Sequence, residues 1–426
     1  MRKSDRRPER TAQASKKHSS RAPKEAEGII KRHPDGFGFF IPNDIDAPDV
    51  YIPRQAMSGV MSNDRVRVRI ERERGGDRYR GEVLEVVTRA FTRAMGQFRA
   101  TSSGRGVLFD RSFGWGEDLN VSCPPGIDPK DGELVVVQIE SYPGSTRGFC
   151  GSVVSVIGDV ADPMNDSVRM LHAHNIPHEF SKAALREADA LPAEVTEKDW
   201  TGRKDLRHIP IVTIDGKTAK DFDDAVYTEK TERGFHLIVA IADVSHYVKE
   251  GSALDEDAYL RGTSTYFPNF VSPMLPEKLS NELCSLKPKV PRLALVADMR
   301  LDFHGQLETS EFYEAVILSH ARVTYGEAQD MIEGNTPGSL RHVEQNVLRC
   351  ADLARILMAK RFREGSLDLD LPETEVQVDE MGMPVDIMQS ERLFSHRLIE
   401  ELMLMANVAV ARFFSRQGHR GNLSGS

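Results

Sequence analysis

"TIDGKTAKDFDDAV", residues 213–226, sets four aspartates, Asp215, Asp221, Asp223 and Asp224, within ten positions. The run IPIVTI (209–214) leads into it, and AVY followed by GFHLIVAIADV (234–244) leads out. Short β-branched runs bounded by turn signals read as buried strands. A solvated acidic loop or an Asx-rich capping turn is the bland account of the carboxylates. It fits poorly with strands so close on both sides and with Phe222 set between Asp221 and Asp223. Carboxylates crowded against apolar strands repel one another and lose hydration, a cost that a bound cation removes.

Hard divalent ions take carboxylate oxygens, which points to Mg²⁺, with Mn²⁺ satisfied by the same ligands. The EF-hand pattern fails, because neither its glycine nor its terminal glutamate is correctly spaced. If residues 221–224 are extended, Asp221 and Asp223 share a face and Asp224 points away. At least one aspartate then reaches a metal indirectly or from a bend. Such a site suits phosphodiester hydrolysis, in which one ion activates water and another stabilises the leaving oxygen.

Upstream, the chain from Gly28 breaks into short strands with turn signals: GIIKRH, PDGFGFFIPN, DVYIPR, DRVRVRIERE and RYRGEVLEVV. A second set runs GRGVLFDRS, LNVSCPPGID, GELVVVQIESY and RGFCGSVVSVIG. This spacing predicts two small β-barrels, over residues 26–88 and 89–160. In the first, Phe37, Phe39 and Phe40 crowd one strand, while Arg65, Arg67 and Arg69 alternate with Val66, Val68 and Ile70. Rings beside a row of guanidiniums would grip single-stranded nucleic acid through stacking and phosphate contacts. The competing reading makes Phe39 core and the arginine row a solvated strand face. Residues 161–207 turn helical and read as a linker, and 208–426 as a mixed α+β domain with helices at VEQNVLRCADLARILMAKRFREG and HRLIEELMLMANVAVARFF.

Composition narrows the classes. The net charge of −9 argues against a uniformly basic binder, yet residues 1–24 hold nine Lys/Arg against two acids. The segment 1–25 therefore reads as a basic disordered tail, either solvated or an arm for phosphates. No apolar run is long enough to cross a membrane, since Glu400, Glu401, Asn407 and Arg412 break the best one. The start is charged and lacks a secretory h-region. Cys123, Cys150, Cys284 and Cys350 lie far apart without CxxC spacing, which predicts reduced, buried thiols and a cytoplasmic protein.

"DGFGFFIPND", "DVYIPRQAM" and "NDRVRVRI" resemble the cold-shock, OB-fold domain at the start of ribonuclease R-type exoribonucleases. "HIPIVTIDGKTAKDFDDAVY", "VAIADVSHYV", "RGTSTYFPNFVSPMLPEKLSNELCSL", "ARVTY" and "HRLIEELMLMANVAVA" resemble the RNB catalytic domain of the ribonuclease II / ribonuclease R family. The resemblance implies a processive, Mg²⁺-dependent 3′-to-5′ exoribonuclease acting on single-stranded RNA 3′ ends and releasing nucleoside 5′-monophosphates, with no oligomer or membrane partner. By motif position, Asp215, Asp221, Asp223 and Asp224 match the family's metal-binding aspartates. Asp223 and Asp224 are the catalytic candidates and Asp223 the least dispensable. Tyr266 matches the tyrosine that packs the terminal nucleotide. Asp243 could line the same channel or cap a turn, and His246 and His396 read as structural; the His396/Glu400 spacing lacks zinc specificity.

The family continues past "ANVAVARF" with an RVHE-like segment, a TSPIRRY stretch carrying catalytic arginines, and an S1 RNA-binding domain. Here the chain ends SRQGHRGNLSGS, which reads as a C-terminally truncated or frameshifted, incomplete RNB domain. Arginines that steady charge on a phosphate are typically worth about 10²–10³-fold in rate. Two readings follow: the exoribonuclease, or a catalytically inactive RNA-binding remnant of it.

Overall fold

The computed structural model describes residues 24–33, 35–44, 47–72, 78–101, 105–109, 118–174, 176–367, 374–389 and 392–416. The basic tail expected over 1–25 lies almost wholly outside them. The chain divides into two units, Met1–Ile176 and Pro177–Ser426.

The first unit holds two closed five-stranded barrels. β1 (Glu25–Arg32), β2 (Gly38–Pro42), β3 (Val50–Ile52), β4 (Arg65–Arg72) and β5 (Tyr79–Thr88) close in the order β1-β2-β3-β5-β4. The alternating sequence of β4 puts Val66, Val68 and Ile70 inside with Ile30, Phe40, Val50 and Ile52, and its arginines outside. Gly81 is required on β5, because a Cβ there would lie 2.5 Å from side-chain carbons of both Ile52 and Val68. β6 (Arg93–Ala100), β7 (Gly106–Phe109), β8 (Leu119–Ser122), β9 (Glu133–Ser141) and β10 (Cys150–Asp159) close in the order β10-β8-β7-β6-β9 around Phe98, Leu119, Val135, Val137, Phe149 and Val153. Between the barrels, the buried Asp64 carboxylate is fully engaged, accepting from Arg89 Nη1 at 2.8 Å and from the amides of Met61 and Ala90 at 2.9 Å. Helix α1 (Met164–Ala173) follows β10.

The second unit is α+β. Helix α2 (Lys182–Ala190), capped by the Ser181 hydroxyl, leads to β11 (Lys204–Asp205), β12 (Val212–Asp215), β13 (Asp224–Thr231), β14 (Gly234–Ala242) and α3 (Ala253–Arg261). A small hairpin, β15 (Thr265–Tyr266) and β16 (Val271–Ser272), precedes the long β17 (Pro291–Asp302) and β18 (Leu307–Leu318), then β19 (Ala321–Thr324), α4 (Tyr325–Ile332) and α5 (Glu344–Arg363). A second hairpin, β20 (Thr374–Val378) and β21 (Pro384–Gln389), precedes α6 (Phe394–Arg416). The main sheet runs β11-β18-β17-β14-β13-β12-β19. Both faces are covered, which explains why β12 and β14 read as continuous apolar runs. One face packs on α4, α5 and α6 through Val347, Leu353, Leu398 and Leu402; the other on α2, α3 and the helical turn Lys278–Leu283 through Ala184, Leu254, Leu279 and Leu283.

Behind the aspartates the register is pinned by a buried side chain. Asn346 of α5 accepts from the Thr228 amide at 2.8 Å and donates to the carbonyls of Pro210 and Val226 at 3.0 and 3.1 Å. It thereby ties the start of β12 to β13, so that Asp215 at one strand's end and Asp224 at the next one's start are set by the sheet. All four cysteines are free, but only Cys284 and Cys350 are buried; Cys123 and Cys150 are half-buried, because each sits at the rim of the second barrel's strands.

Candidate active site

Asp215 closes β12 and Asp224 opens β13, antiparallel neighbours in register at Val212 and Val226. The sheet thus brings together two carboxylates nine positions apart, and the connecting loop supplies Asp221 and Asp223. Of residues 221–224 only Asp224 lies in a strand, and Asp221 and Asp223 belong to the connecting loop. Asp215 and Asp224 are half-buried, and each has one carboxylate oxygen, Oδ2, shielded from solvent with no hydrogen-bond partner. Burial pushes the Asp215 carboxyl up to about 7, reinforced by the negative charges of Asp224, Asp223 and Asp221 and partly offset by Arg322. Asp224 is pushed up to about 6, by burial and then by Asp223. Asp223 opens to solvent, yet its carboxyl is still raised by the surrounding protein and then by Asp221. Buried, mutually repelling carboxylates with orphaned oxygens are the donor set a hard cation needs.

Among the described residues, no three His, Cys, Asp or Glu side chains are drawn into a metal-holding cage. An ion that keeps several waters needs no such cage, since only one or two carboxylates touch it directly. The residues present therefore fit a hydrated Mg²⁺ or Mn²⁺.

Tyr266 stands beside the cluster. Its hydroxyl donates to Asp221 Oδ2 at 2.6 Å, and the residue remains 63% exposed. Burial and that bond hold its proton on, raising it to about 12. Two further groups join the site that sequence reasoning passed over. Tyr325, the first residue of α4, is pushed up to about 12 by burial and then by Asp215 and Asp224, and its ring stacks on His396 at 4.1 Å. Cys284 is pushed up to about 12 by burial and then by Asp223. Tyr325 ends the quoted motif ARVTY and sits inside a capping box, where the Thr324 hydroxyl accepts from the Glu327 amide and the Glu327 carboxylate accepts from the Thr324 amide, but neither signal assigned it a role.

Of the two roles open to Asp243, the structure shows the turn cap. Buried at the end of β14, it caps the turn Val244–His246 and accepts from Arg203 Nη2 at 2.6 Å. His246 faces Asp199 at 3.3 Å, and Glu400 pairs with Arg392 at 2.7 Å.

In the first barrel, Phe37 and Phe39 meet as expected, with ring centres 5.7 Å apart, and Phe39 is exposed. His33 stacks on Phe37 at 4.3 Å and Tyr51 packs against both phenylalanines, so the platform is four rings, His33, Phe37, Phe39 and Tyr51, where the sequence pointed to Phe37, Phe39 and Phe40. Phe40 points into the core. Arg65 and Arg67 do lie outward on β4, but β1 and β5 separate that strand from β2 and β3, so the structure does not set the arginine row beside the rings. Arg67 is held by Glu27 at 2.9 Å and Glu85 at 2.7 Å, and Arg69 by Glu82 at 2.8 Å. Cross-strand glutamates at these registers, invisible in a single strand's sequence, neutralise Arg67 and Arg69.

The RNB domain matches residues 203–424, just over half of the chain. The chain belongs to the RNB family. The ribonuclease B OB domain matches residues 28–86 and the cold shock domain residues 117–181. Ribonuclease R of Thermotoga maritima is 39% identical over 400 residues, covering 92% of this chain and 55% of that protein. Ribonuclease R of Escherichia coli is 35% identical over 399 residues, covering 92% and 48%. Among solved structures, Mycoplasma genitalium RNase R in complex with ribose-methylated single-stranded RNA superposes with a TM-score of 0.78 at 28% identity, over 92% of this chain and 62% of that one. This RNB-family chain spans about half the length of the curated relatives it matches.

Proposed function

We propose that this chain carries the RNA-gripping barrels and the metal-holding aspartates of a cytoplasmic 3′-to-5′ exoribonuclease that hydrolyses single-stranded RNA to nucleoside 5′-monophosphates. The observation that carries the reading is the cluster of Asp215, Asp223 and Asp224, raised by burial and mutual repulsion, with two orphaned carboxylate oxygens and Tyr266 bonded to Asp221. Mg²⁺ or Mn²⁺, held by Asp215, Asp221, Asp223 and Asp224, would supply Lewis acidity and an acidified water. The chain's own residues do the positioning. Tyr266 keeps its proton, orients Asp221 by donating to it, and offers an exposed ring on which the terminal base can stack. The rings of His33, Phe37, Phe39 and Tyr51 offer a sequence-tolerant platform for bases of a single strand, because every base has a π-face.

Family membership supports the reaction class, and the RNA held by the Mycoplasma genitalium relative supports the substrate class. Chromatography of the products from a uniformly labelled RNA tests it. Nucleoside 5′-monophosphates that form with Mg²⁺ and not with EDTA are expected; 3′-phosphorylated products, or EDTA-resistant cleavage, would sink the reading.

A further inference from the structure

The loop that joins Asp215 to Asp221 is held by two side chains outside the carboxylate cluster. Arg322, on β19 and in register with Thr213 of β12, reaches over it. Its Nη2 donates to the carbonyls of Lys217 at 2.6 Å and Gly216 at 3.1 Å, with Ala219 at 3.5 Å, and its guanidinium lies 5.2 Å from the centre of the Phe222 ring. The far end of the loop is caught by Ser285, which is fully buried. Its hydroxyl donates to the Lys220 carbonyl at 2.8 Å and accepts from the Phe222 amide at 3.1 Å, while the Leu286 amide donates to the Phe222 carbonyl at 2.8 Å. A pocket of about 940 Å³, open to solvent on one side, borders the loop at Ala219, Lys220 and Phe222, with Arg292 and Arg322 also in its wall.

We infer that Arg322 and Ser285 are positioning residues that hold the aspartate loop in its metal-ready shape and so set the chain's affinity for a divalent cation. The inference rests on the metal reading of the site. Four like charges push the loop apart, and a guanidinium bound to several of its carbonyls opposes that spreading with charge-assisted bonds. All of these bonds come from Nη2, so a lysine, which keeps the charge and a terminal donor, replaces them in part. Ser285 adds a donor and an acceptor at one point, fixing the backbone on either side of Asp221. Neither side chain hydrogen-bonds to a carboxylate of the cluster; Ser285 therefore acts through loop shape alone, and Arg322 acts through loop shape and through its charge on Asp215. Supporting contacts of this kind typically set about 10–100-fold in metal affinity.

The test follows the melting temperature of the full chain and of its Arg322→Ala, Arg322→Lys and Ser285→Ala variants against Mg²⁺ concentration, with calorimetric Mg²⁺ titration at 25 °C as a second readout. Half-saturation is expected to rise by about tenfold or more in Arg322→Ala, less in Arg322→Lys, and several-fold in Ser285→Ala. Cleavage lost at low Mg²⁺ is expected to return at saturation. Should Arg322→Ala fail to fold, Arg322→Lys decides the matter. Folded variants with the parent's half-saturation, whatever their metal-free stability, would overturn the inference while leaving the metal reading intact. A parent that shows no Mg²⁺-dependent shift would remove both.

Discussion

Replacing Asp224 by Asn should stabilise the metal-free protein at pH 8. Folding raises this carboxyl from 3.8 to about 6, so the native state holds the proton more tightly than the unfolded chain. For an acid shifted upward, stability is lost as pH rises from the unfolded value through the folded one, and the loss is complete above about pH 7. The shift corresponds to about 3 kcal/mol at 1.36 kcal/mol per unit, or roughly 2 once water reaching the half-buried site is allowed for. Asn keeps the shape and removes the charge. For a unit of this size, roughly 2 kcal/mol raises the melting temperature by about 4–8 °C. Differential scanning calorimetry in EDTA should show that gain at pH 8 and almost none at pH 4. In saturating Mg²⁺ the gap should close or invert, because the ion stabilises the parent in proportion to its occupancy. A variant less stable than the parent at pH 8 without metal, or a gain that persists unchanged at pH 4, would refute the claim that uncompensated charge strains this site.

Three other outcomes follow from the geometry. Phe39→Ala or Tyr51→Ala should weaken single-stranded RNA binding by about 1–3 kcal/mol per lost stacking contact, whereas Arg67→Ala, whose guanidinium is already held by Glu27 and Glu85, should change it by less than about 0.5 kcal/mol; filter binding at one fixed salt concentration compares them. Tyr266→Phe keeps the ring and loses the bond to Asp221, so turnover should fall with KM for RNA nearly unchanged, while Tyr266→Ala should raise KM as well; steady-state kinetics that made the two variants alike would contradict the division of roles. Asn346→Ala leaves the Thr228 amide and two strand carbonyls without partners and should cost about 2–4 kcal/mol in urea denaturation, and a loss under 1 kcal/mol would mean water replaces the side chain.

Much of this architecture was legible because it rests on local patterns. Alternation in RVRVRIER assigned the inside and outside of a barrel strand, and apolar runs around the aspartates marked strands of a sheet covered on both faces. The chemistry of the site was legible for a different reason, since four carboxylates among strands violate the ordinary cost of burying charge. What escaped depends on partners far apart in the chain. Tyr325 comes within electrostatic reach of Asp215 and Asp224 only because β19 lies beside β12, about 110 positions on. Arg67 looked like a phosphate contact until Glu27 and Glu85, from the two neighbouring strands, were found on it. Asp243 could line the channel or cap a turn on sequence alone, and the structure shows the cap, with Arg203 on the same carboxylate.

The central claim is that the aspartate cluster makes this chain an exoribonuclease. Its most direct test is the degradation of a 5′-labelled single-stranded RNA with Mg²⁺ by the parent and by Asp223→Asn, with RNA binding measured in parallel. A ladder that shortens progressively from the 3′ end with the parent, and vanishes in the variant while binding persists, is the predicted result. RNA bound equally by both proteins and shortened by neither, or shortened by both, would contradict it.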